Sequence, residues 1–435
     1  MTTPRKQVTR RAALARMAGI GGLAATVQAG AVPGVETLGA AHAQQRFRPP
    51  DEEVPVKGKA GPGLEPFDKA MLAIMDRHGV PGAALALAKN GKLLLAKGYG
   101  WANVATGDAV EPDTLFALAS LSKSFTATAI LLLIDQGKLE LDAPVFELIK
   151  HIKPPRGAKV DPRYLDITVR QCLNHSGGWD RNITGDVMYW EPQICRSLRL
   201  RPPVSAQDFL SFTFAVPLNF PPGTNAVYSN VGYVILGEII AKISGQSYEG
   251  FVVEKVLKPM GIKRAALHPE EGKYLKGEAL RHLAGSLIPL PPMQTPMLDA
   301  TGGWTCSVVD MARFLTNLDG SRGEPLLSEK TRKLIVEPPP KPLKPRENGS
   351  YFGLGWDEAL VNDKGYTYFK DGSFQGMRTF MKRLPTGVNW ALLYNASMEF
   401  DRLDGQIVGS TIQEVRQLVE RFDKYPDIDL FKEFP

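Results

Sequence analysis

Ser120-Leu121-Ser122-Lys123-Ser124-Phe125-Thr126-Ala127-Thr128-Ala129-Ile130-Leu131-Leu132-Leu133-Ile134-Asp135-Gln136-Gly137 is the stretch on which the reading of this 435-residue chain turns. Small and hydroxyl-bearing residues run into an unbroken aliphatic segment that stops at a glycine. That pattern predicts a helix apolar on every side, and therefore buried. Ser120 and Lys123 stand three residues apart, one turn of helix, so the amine can reach the hydroxyl. No other Ser-x-x-Lys occurs in the chain. Alone, such a pair also describes a helix-capping serine beside a solvated lysine. Burial argues against that alternative, because an unpaired ammonium is costly in an apolar interior. Bringing a lysine from its ordinary pKa near 10.4 to about 7 takes about 4 to 5 kcal/mol. Desolvation, the helix N-terminus and a second cation all act in that direction. A neutral Lys123 could accept the proton of Ser120.

Two further motifs lie downstream. Tyr228-Ser229-Asn230 follows Pro221-Pro222-Gly223 and precedes a predicted helix over 232–243, and no other tyrosine has asparagine two places on. A phenol there could relay protons, and the amide of Asn230 could orient the lysine and the substrate. Lys370-Asp371-Gly372-Ser373 stands at the end of a predicted strand, where Gly372 lets a substrate approach an extended backbone. The N–H groups of Ser120 and Ser373 could then form a two-donor oxyanion hole. Taken singly, the second motif reads as a turn with a core tyrosine and the third as a turn.

The ends of the chain supply strands. Apolar residues Phe67, Met71, Ile74 and Met75 predict an amphipathic helix over 66–78. Residues 83–89 and 92–98 flank Asn90-Gly91, the strongest short-range hairpin signal. Strand patterns return at 366–370, 377–384 and 388–396, with a turn at Pro385-Thr386-Gly387 and a final helix over 403–422. Residues between 120 and 330 read as mainly helical. The expected architecture is a sheet built from both chain ends, flanked by helices, with a helical region inserted between them.

These motifs in this order resemble the penicillin-recognising serine hydrolases, in particular the group of class C β-lactamases, D-alanyl-D-alanine carboxypeptidases and carboxylesterases. Other stretches resemble the same group: 167–178, with Asn174-His175-Ser176-Gly177-Gly178; Gly302-Gly303 running into Asp310-Met311-Ala312-Arg313-Phe314; and Phe352-Gly353-Leu354-Gly355-Trp356. The similarity spans about residues 65 to 420. It implies a β-lactamase/transpeptidase-like α/β (α+β) fold over residues 64–435, with the sheet from about 64–118 and 351–435 and the helical region from about 119–350. It implies Ser120 as nucleophile, Lys123 and Tyr228 sharing the general-base and general-acid roles, Asn230 and Gly372 in the substrate site, Lys370 as a source of positive charge, and Ser120 with Ser373 as oxyanion donors. The implied reaction is acyl transfer through an ester on Ser120, with His175 structural. No cofactor or metal is called for.

One departure bears on substrate. Many β-lactamases carry Lys-Thr-Gly where this chain has Lys370-Asp371-Gly372. A carboxylate facing the pocket would repel a penicillin or a peptide C-terminus, whereas one pointing away along the strand would not. Met377 stands where the group often has an aromatic residue. A small neutral ester or amide is the expected substrate. A β-lactam, a D-alanyl-D-alanine or other D-amino-acid peptide, or a non-catalytic role binding cell-wall peptide or a partner protein are the alternatives.

Composition sets the remaining bounds. The formal charge is +6, but residues 1–43 hold five basic residues against one acid, leaving 47 basic and 45 acidic residues in the rest. A net charge of +2 there gives nucleic-acid binding little support. Residues 1–43 read as a twin-arginine export signal: Thr9-Arg10-Arg11, an Ala/Gly-rich run over 17–32, and Ala41-His42-Ala43 before Gln44. A periplasmic or otherwise exported mature chain without a membrane span is expected, and residues 44–63 read as a linker. Cys172, Cys195 and Cys306 make an odd count; Cys172 and Cys195 could pair, or stay as buried thiols. The aromatic cluster Met188-Tyr189-Trp190 could wall the pocket. Sequence does not set the oligomeric state.

Overall fold

Strands from both ends of the chain meet in one antiparallel sheet. The structure is a computed structural model and describes residues 53–268, 272–283, 285–286, 288–293, 296–397 and 406–434, with backbone alone at 406–411. The expected export signal, the first part of the linker and residues 403–405 of the final predicted helix lie outside the described residues.

The sheet comprises β1 (Val56–Ala60), β2 (Gly82–Lys89), β3 (Lys92–Asn103), β4 (Tyr351–Gly353), β5 (Trp356–Asn362), β6 (Gly365–Phe374), β7 (Met377–Arg383) and β8 (Val388–Tyr394). Their order is β1-β3-β2-β8-β7-β6-β5-β4, with Asp108–Ala109 paired to the end of β3. The two chain ends join where β2 pairs with β8, from Ala83↔Tyr394 to Lys89↔Val388. Asn90 and Gly91 take φ of +48° and +77°, the left-handed pair that a two-residue hairpin requires.

Strand alternation sorts the core into two layers. Ala84 and Ala86 of β2, with Ala391 and Leu393 of β8, face the inserted region. Leu85 and Leu87, with Trp390 and Leu392, face the terminal helices α1 (Glu65–His78) and, at the chain's end, Gln406–Arg421. Helix α1 buries Phe67, Met71 and Ile74 on one face and stops at Gly79, whose left-handed N–H closes onto the Met75 carbonyl. The inserted region is built around α2 (Ser122–Asp135), α3 (Val231–Ser244) and α4 (Val308–Leu318); Gln406–Arg421 is α5.

The linker expected over 44–63 is shorter than composition implies. Val56–Ala60 is edge strand β1, paired with β3 from Val56↔Tyr99 to Ala60↔Leu95. Its side chains are exposed except at Ala60, so no hydrophobic alternation marks it, and its lysines suit a sheet edge. The inserted region is mainly helical, as expected, and also contributes to a second, small sheet. Phe116–Ala117, Trp304–Cys306 and Ala265–Leu267 form a small antiparallel sheet whose strands are too short to show a period. That sheet has a purpose for the site, because the Leu118 N–H bonds the Trp304 carbonyl at 2.8 Å and fixes the turn before Ser120.

All three cysteines are free thiols; Cys172 and Cys306 are buried, and burial holds both thiols well above the usual range. No described helix is long and apolar enough to cross a membrane.

Candidate active site

The turn into α2 is strained. Ala119 adopts φ of +47°, an uncommon conformation for a residue with a Cβ, and Ala119–Leu121 forms a short 3₁₀ turn that feeds the helix. Helix α2 is enclosed from Ser122 through Leu133, and its hydroxyls are used internally. Ser122 Oγ accepts from the Trp304 N–H at 3.2 Å, Ser124 Oγ donates to the Gly355 carbonyl at 3.1 Å, and Thr126 Oγ1 donates to the Ala300 carbonyl at 2.7 Å. Ser120 lies outside that internal bonding and opens onto a cleft. Lys123 Nζ lies 3.2 Å from Ser120 Oγ and 2.7 Å from the Thr301 carbonyl oxygen, and Tyr228 OH donates to Ser120 Oγ at 2.6 Å. Tyr228 reaches this point because its loop ends in Asn230, the residue that opens α3.

The lysine is fully buried. Desolvation holds its ammonium well below the ordinary lysine range; the cations of Lys370 and Arg181 add to the effect, while Asp357 and Asp186 oppose it. Tyr228 is displaced the other way. Burial raises its phenol well above the usual range, aided by the Asp357 and Asp371 carboxylates and opposed by its bond to Ser120. The site thus favours a neutral amine and a protonated phenol around one oxygen. A neutral amine can point one hydrogen at the Thr301 carbonyl and its lone pair at the Ser120 hydroxyl.

His175 lies beneath the phenol. Its ring sits 4.5 Å from that of Tyr228 at an interplanar angle of 32°, and its Nδ1 accepts from the Ser229 N–H at 3.2 Å. Burial, with the Lys370 ammonium nearby, keeps it neutral. It supports the tyrosine and makes no bond to Ser120.

The third motif lies in the C-terminal half of β6, which runs on to Phe374 beyond the predicted strand end at Lys370. Lys370 is fully buried, pairs with Asp357 at 2.6 Å and lies 5.1 Å from the Tyr228 ring centroid. Gly372 fits where no side chain could: a Cβ there would come within 2.5 Å of the Leu118 carbonyl and 3.0 Å of the Ser120 nitrogen. The N–H of Asp371 bonds Asp357 Oδ2 at 3.2 Å, on the side away from β7. Backbone N–H direction repeats every second residue of a strand, so the Ser373 N–H faces that same side. There β5 has ended and the cleft begins, as an oxyanion donor requires.

Asp371, whose direction the sequence left open, is paired: its Oδ2 accepts from Arg378 Nη2 at 2.8 Å. Burial, with Asp357 nearby, pushes its carboxyl up, and Arg378 opposes that shift. Asn230 does not orient the lysine. Its Nδ2 donates to Asp186 Oδ2 at 2.7 Å, and Asp186 also caps the turn at Met188. Both carboxylates were invisible as partners in the sequence, since Asp357 merely follows the Phe352–Trp356 run and Asp186 lies in a long loop.

Beside Ser120 the cleft narrows to a cavity of about 40 Å³, walled by Met188, Tyr189, Met293, Leu298 and Phe374, with Asn230 and Ser373 at its polar edge. Met377 packs beneath, against Ala119 and Met293. Among the described residues no group of three or more His, Cys, Asp or Glu side chains is placed to hold a metal ion.

This geometry can be set beside known proteins. A sequence model of the Beta-lactamase family matches residues 67–405. Penicillin-binding protein 4 of Amycolatopsis lactamdurans is 29% identical over 378 residues, covering 80% of this chain and 93% of the relative. Protein flp of Staphylococcus aureus strain NCTC 8325 is 32% identical over 338 residues, or 76% of this chain and 63% of that longer protein. Among solved structures, the octameric penicillin-binding protein homologue from Pyrococcus abyssi superposes with a TM-score of 0.63 at 27% identity, covering 77% of this chain and 74% of that one. D-amino acid amidase from Ochrobactrum anthropi SV3 shares the fold with a TM-score of 0.63 at 24% identity, over 81% and 99% of the two chains. The family match spans most of the chain and includes the strained turn, the buried amine and the strand beside them, and this protein belongs to the beta-lactamase family of serine penicillin-recognising hydrolases.

Proposed function

We propose that this protein is an exported serine hydrolase that opens small ester bonds, and amides more slowly, through an acyl-enzyme on Ser120. One observation carries the reading: a buried, counter-ion-free amine and a protonated phenol both meet Ser120 Oγ, at 3.2 Å and 2.6 Å. Lys123 takes the Ser120 proton as Oγ attacks the substrate carbonyl. The negative charge that develops on the carbonyl oxygen is met by the N–H groups of Ser120 and Ser373. Tyr228 delivers a proton to the departing alkoxide or amine and is reprotonated by the Lys123 ammonium. Water then attacks the ester by the same route reversed, restoring Ser120.

A neutral substrate is favoured by the surroundings. The wall beside Ser120 is apolar, and the two cations of the third-motif region are already paired, Lys370 with Asp357 and Arg378 with Asp371. Neither is left to receive a substrate carboxylate. The 29% identity to a penicillin-binding protein supports a second reading, in which a β-lactam acylates Ser120. Purified protein supplied with p-nitrophenyl butyrate and with a chromogenic cephalosporin separates the two by relative kcat/KM. No turnover of either, together with no mass gain at Ser120 from a fluorophosphonate, would leave only a non-catalytic binding role.

A further inference from the structure

We propose that Asp357 is a positioning residue of this site, which acts by fixing the Lys370 ammonium against the Tyr228 ring and balancing its charge there. The inference rests on the hydrolase reading above and concerns a residue outside its motifs. The ladder between β5 and β6 runs from Asn362↔Gly365 to Glu358↔Phe369. At the next step the strands part, and the Asp357 carboxylate bridges the gap: Oδ1 takes Lys370 Nζ at 2.6 Å, and Oδ2 takes the Asp371 N–H at 3.2 Å. One carboxylate therefore sets both the side chain of Lys370 and the backbone that leads to Gly372 and Ser373.

The consequence for the phenol is geometric. Two cations and the Lys123 amine face the Tyr228 ring, with Lys370 at 5.1 Å, Arg181 at 5.6 Å and Lys123 at 5.2 Å from its centroid. Lys370 is fully buried, and the Asp357 side chain is 16% exposed. A buried ammonium whose partner is removed either leaves its place or loses its proton. Asp357 prevents both, so that Lys370 stays where a cation can steady the phenol and repel a proton from Lys123. Asp357 touches neither Ser120 nor the reacting carbonyl; its positioning effect passes through Lys370, while its own charge acts directly on Lys123 and Tyr228 by favouring a proton on each.

A double-mutant cycle on the full chain tests this, with the rate of Ser120 phosphonylation by a fluorophosphonate, followed by intact mass, as the readout. D357N, nearly isosteric and still an acceptor for the Asp371 N–H, is expected to slow labelling at least about tenfold. In the K370M background the same substitution is expected not to slow labelling, because the group it positions is gone and the carboxylate's remaining direct effect is to favour a proton on Lys123. Equal slowing in both backgrounds, or no slowing in either, would overturn the proposal. Should D357N fail to fold, D357E serves instead: it keeps the charge and is expected to label faster than K370M, and a rate as low as that of K370M overturns the proposal. Wild-type protein that takes no phosphonate at Ser120 defeats the hydrolase reading itself, a result distinct from any pattern within the cycle.

Discussion

Lys123 is held where a charged amine is penalised, and the cost is useful only if Ser120 needs a base. Substituting Lys123 by Met should therefore remove about 10²- to 10⁴-fold from kcat while leaving KM within a few-fold, measured with p-nitrophenyl butyrate. Tyr228→Phe should fall in the same range, because it keeps the ring on His175 and deletes the hydroxyl 2.6 Å from Ser120. At this scale the sequence was informative where residues sit close along one element. Ser120 and Lys123 were joined by helical spacing alone, and their likeness to a known pattern brought in Tyr228 and Lys370. The partners of those residues were not legible. Asp357 and Asp186 reach Lys370 and Asn230 across 13 and 44 positions, and which carboxylate answers which cation depends on strand register and loop path. The sign of the Asp371 argument turned on Arg378, whose approach follows from the pairing of Asp371 with Phe380 and of Ser373 with Arg378.

Elements place these residues through two contacts, one made by a strand and one by a helix. Strand β6 lies so close to the turn before α2 that Gly372 has no room for a methyl group. Gly372→Ala should lower kcat/KM at least about 10²-fold by displacing the Ser120 and Ser373 N–H groups, with the far-ultraviolet circular dichroism unchanged. Helix α2 is anchored on its other side by Phe125, which meets the Trp304 and Phe314 rings edge-on at 5.9 and 4.9 Å. Phe125→Ala should cost about 3 to 5 kcal/mol in urea denaturation, the range for deleting a fully buried aromatic side chain. The long periodic elements were readable in sequence for plain reasons: α1 from its apolar spacing, β2 and β3 from Asn90-Gly91, and α2 from its uniform burial. Strand β1 and the small sheet around Trp304 were not, because a strand paired by its backbone with exposed side chains, or one of only three residues, carries no periodic signal.

Across the whole molecule, function depends on the two chain ends meeting. The cleft is formed by α2 and the Tyr228 loop from the inserted region and by β6 from the C-terminal third, and β6 is held in register through β7 and β8 to β2. That closure was foreseen from strand patterns at both ends, because a half-finished sheet with apolar strands must find its complement. The proposed export adds a requirement beyond the described residues. In a host with a twin-arginine translocation system, replacing Arg10 and Arg11 by Lys should retain the protein in the cytoplasm, with the precursor unprocessed on immunoblots of cell fractions; unchanged export would reject that reading.

The central claim concerns the charge on one nitrogen, and the pH dependence of Ser120 phosphonylation measures it. The reacting form needs Lys123 unprotonated, so the rate must fall as pH drops through the lysine's pKa in the folded protein and level off above it. Burial and the Lys370 cation place that pKa well below the ordinary lysine value of 10.5. A single ionisation whose midpoint lies well under 10.5, with a plateau reached before that pH, is the predicted result. A rate still climbing at pH 10.5, or one indifferent to Lys123→Met, would contradict the account.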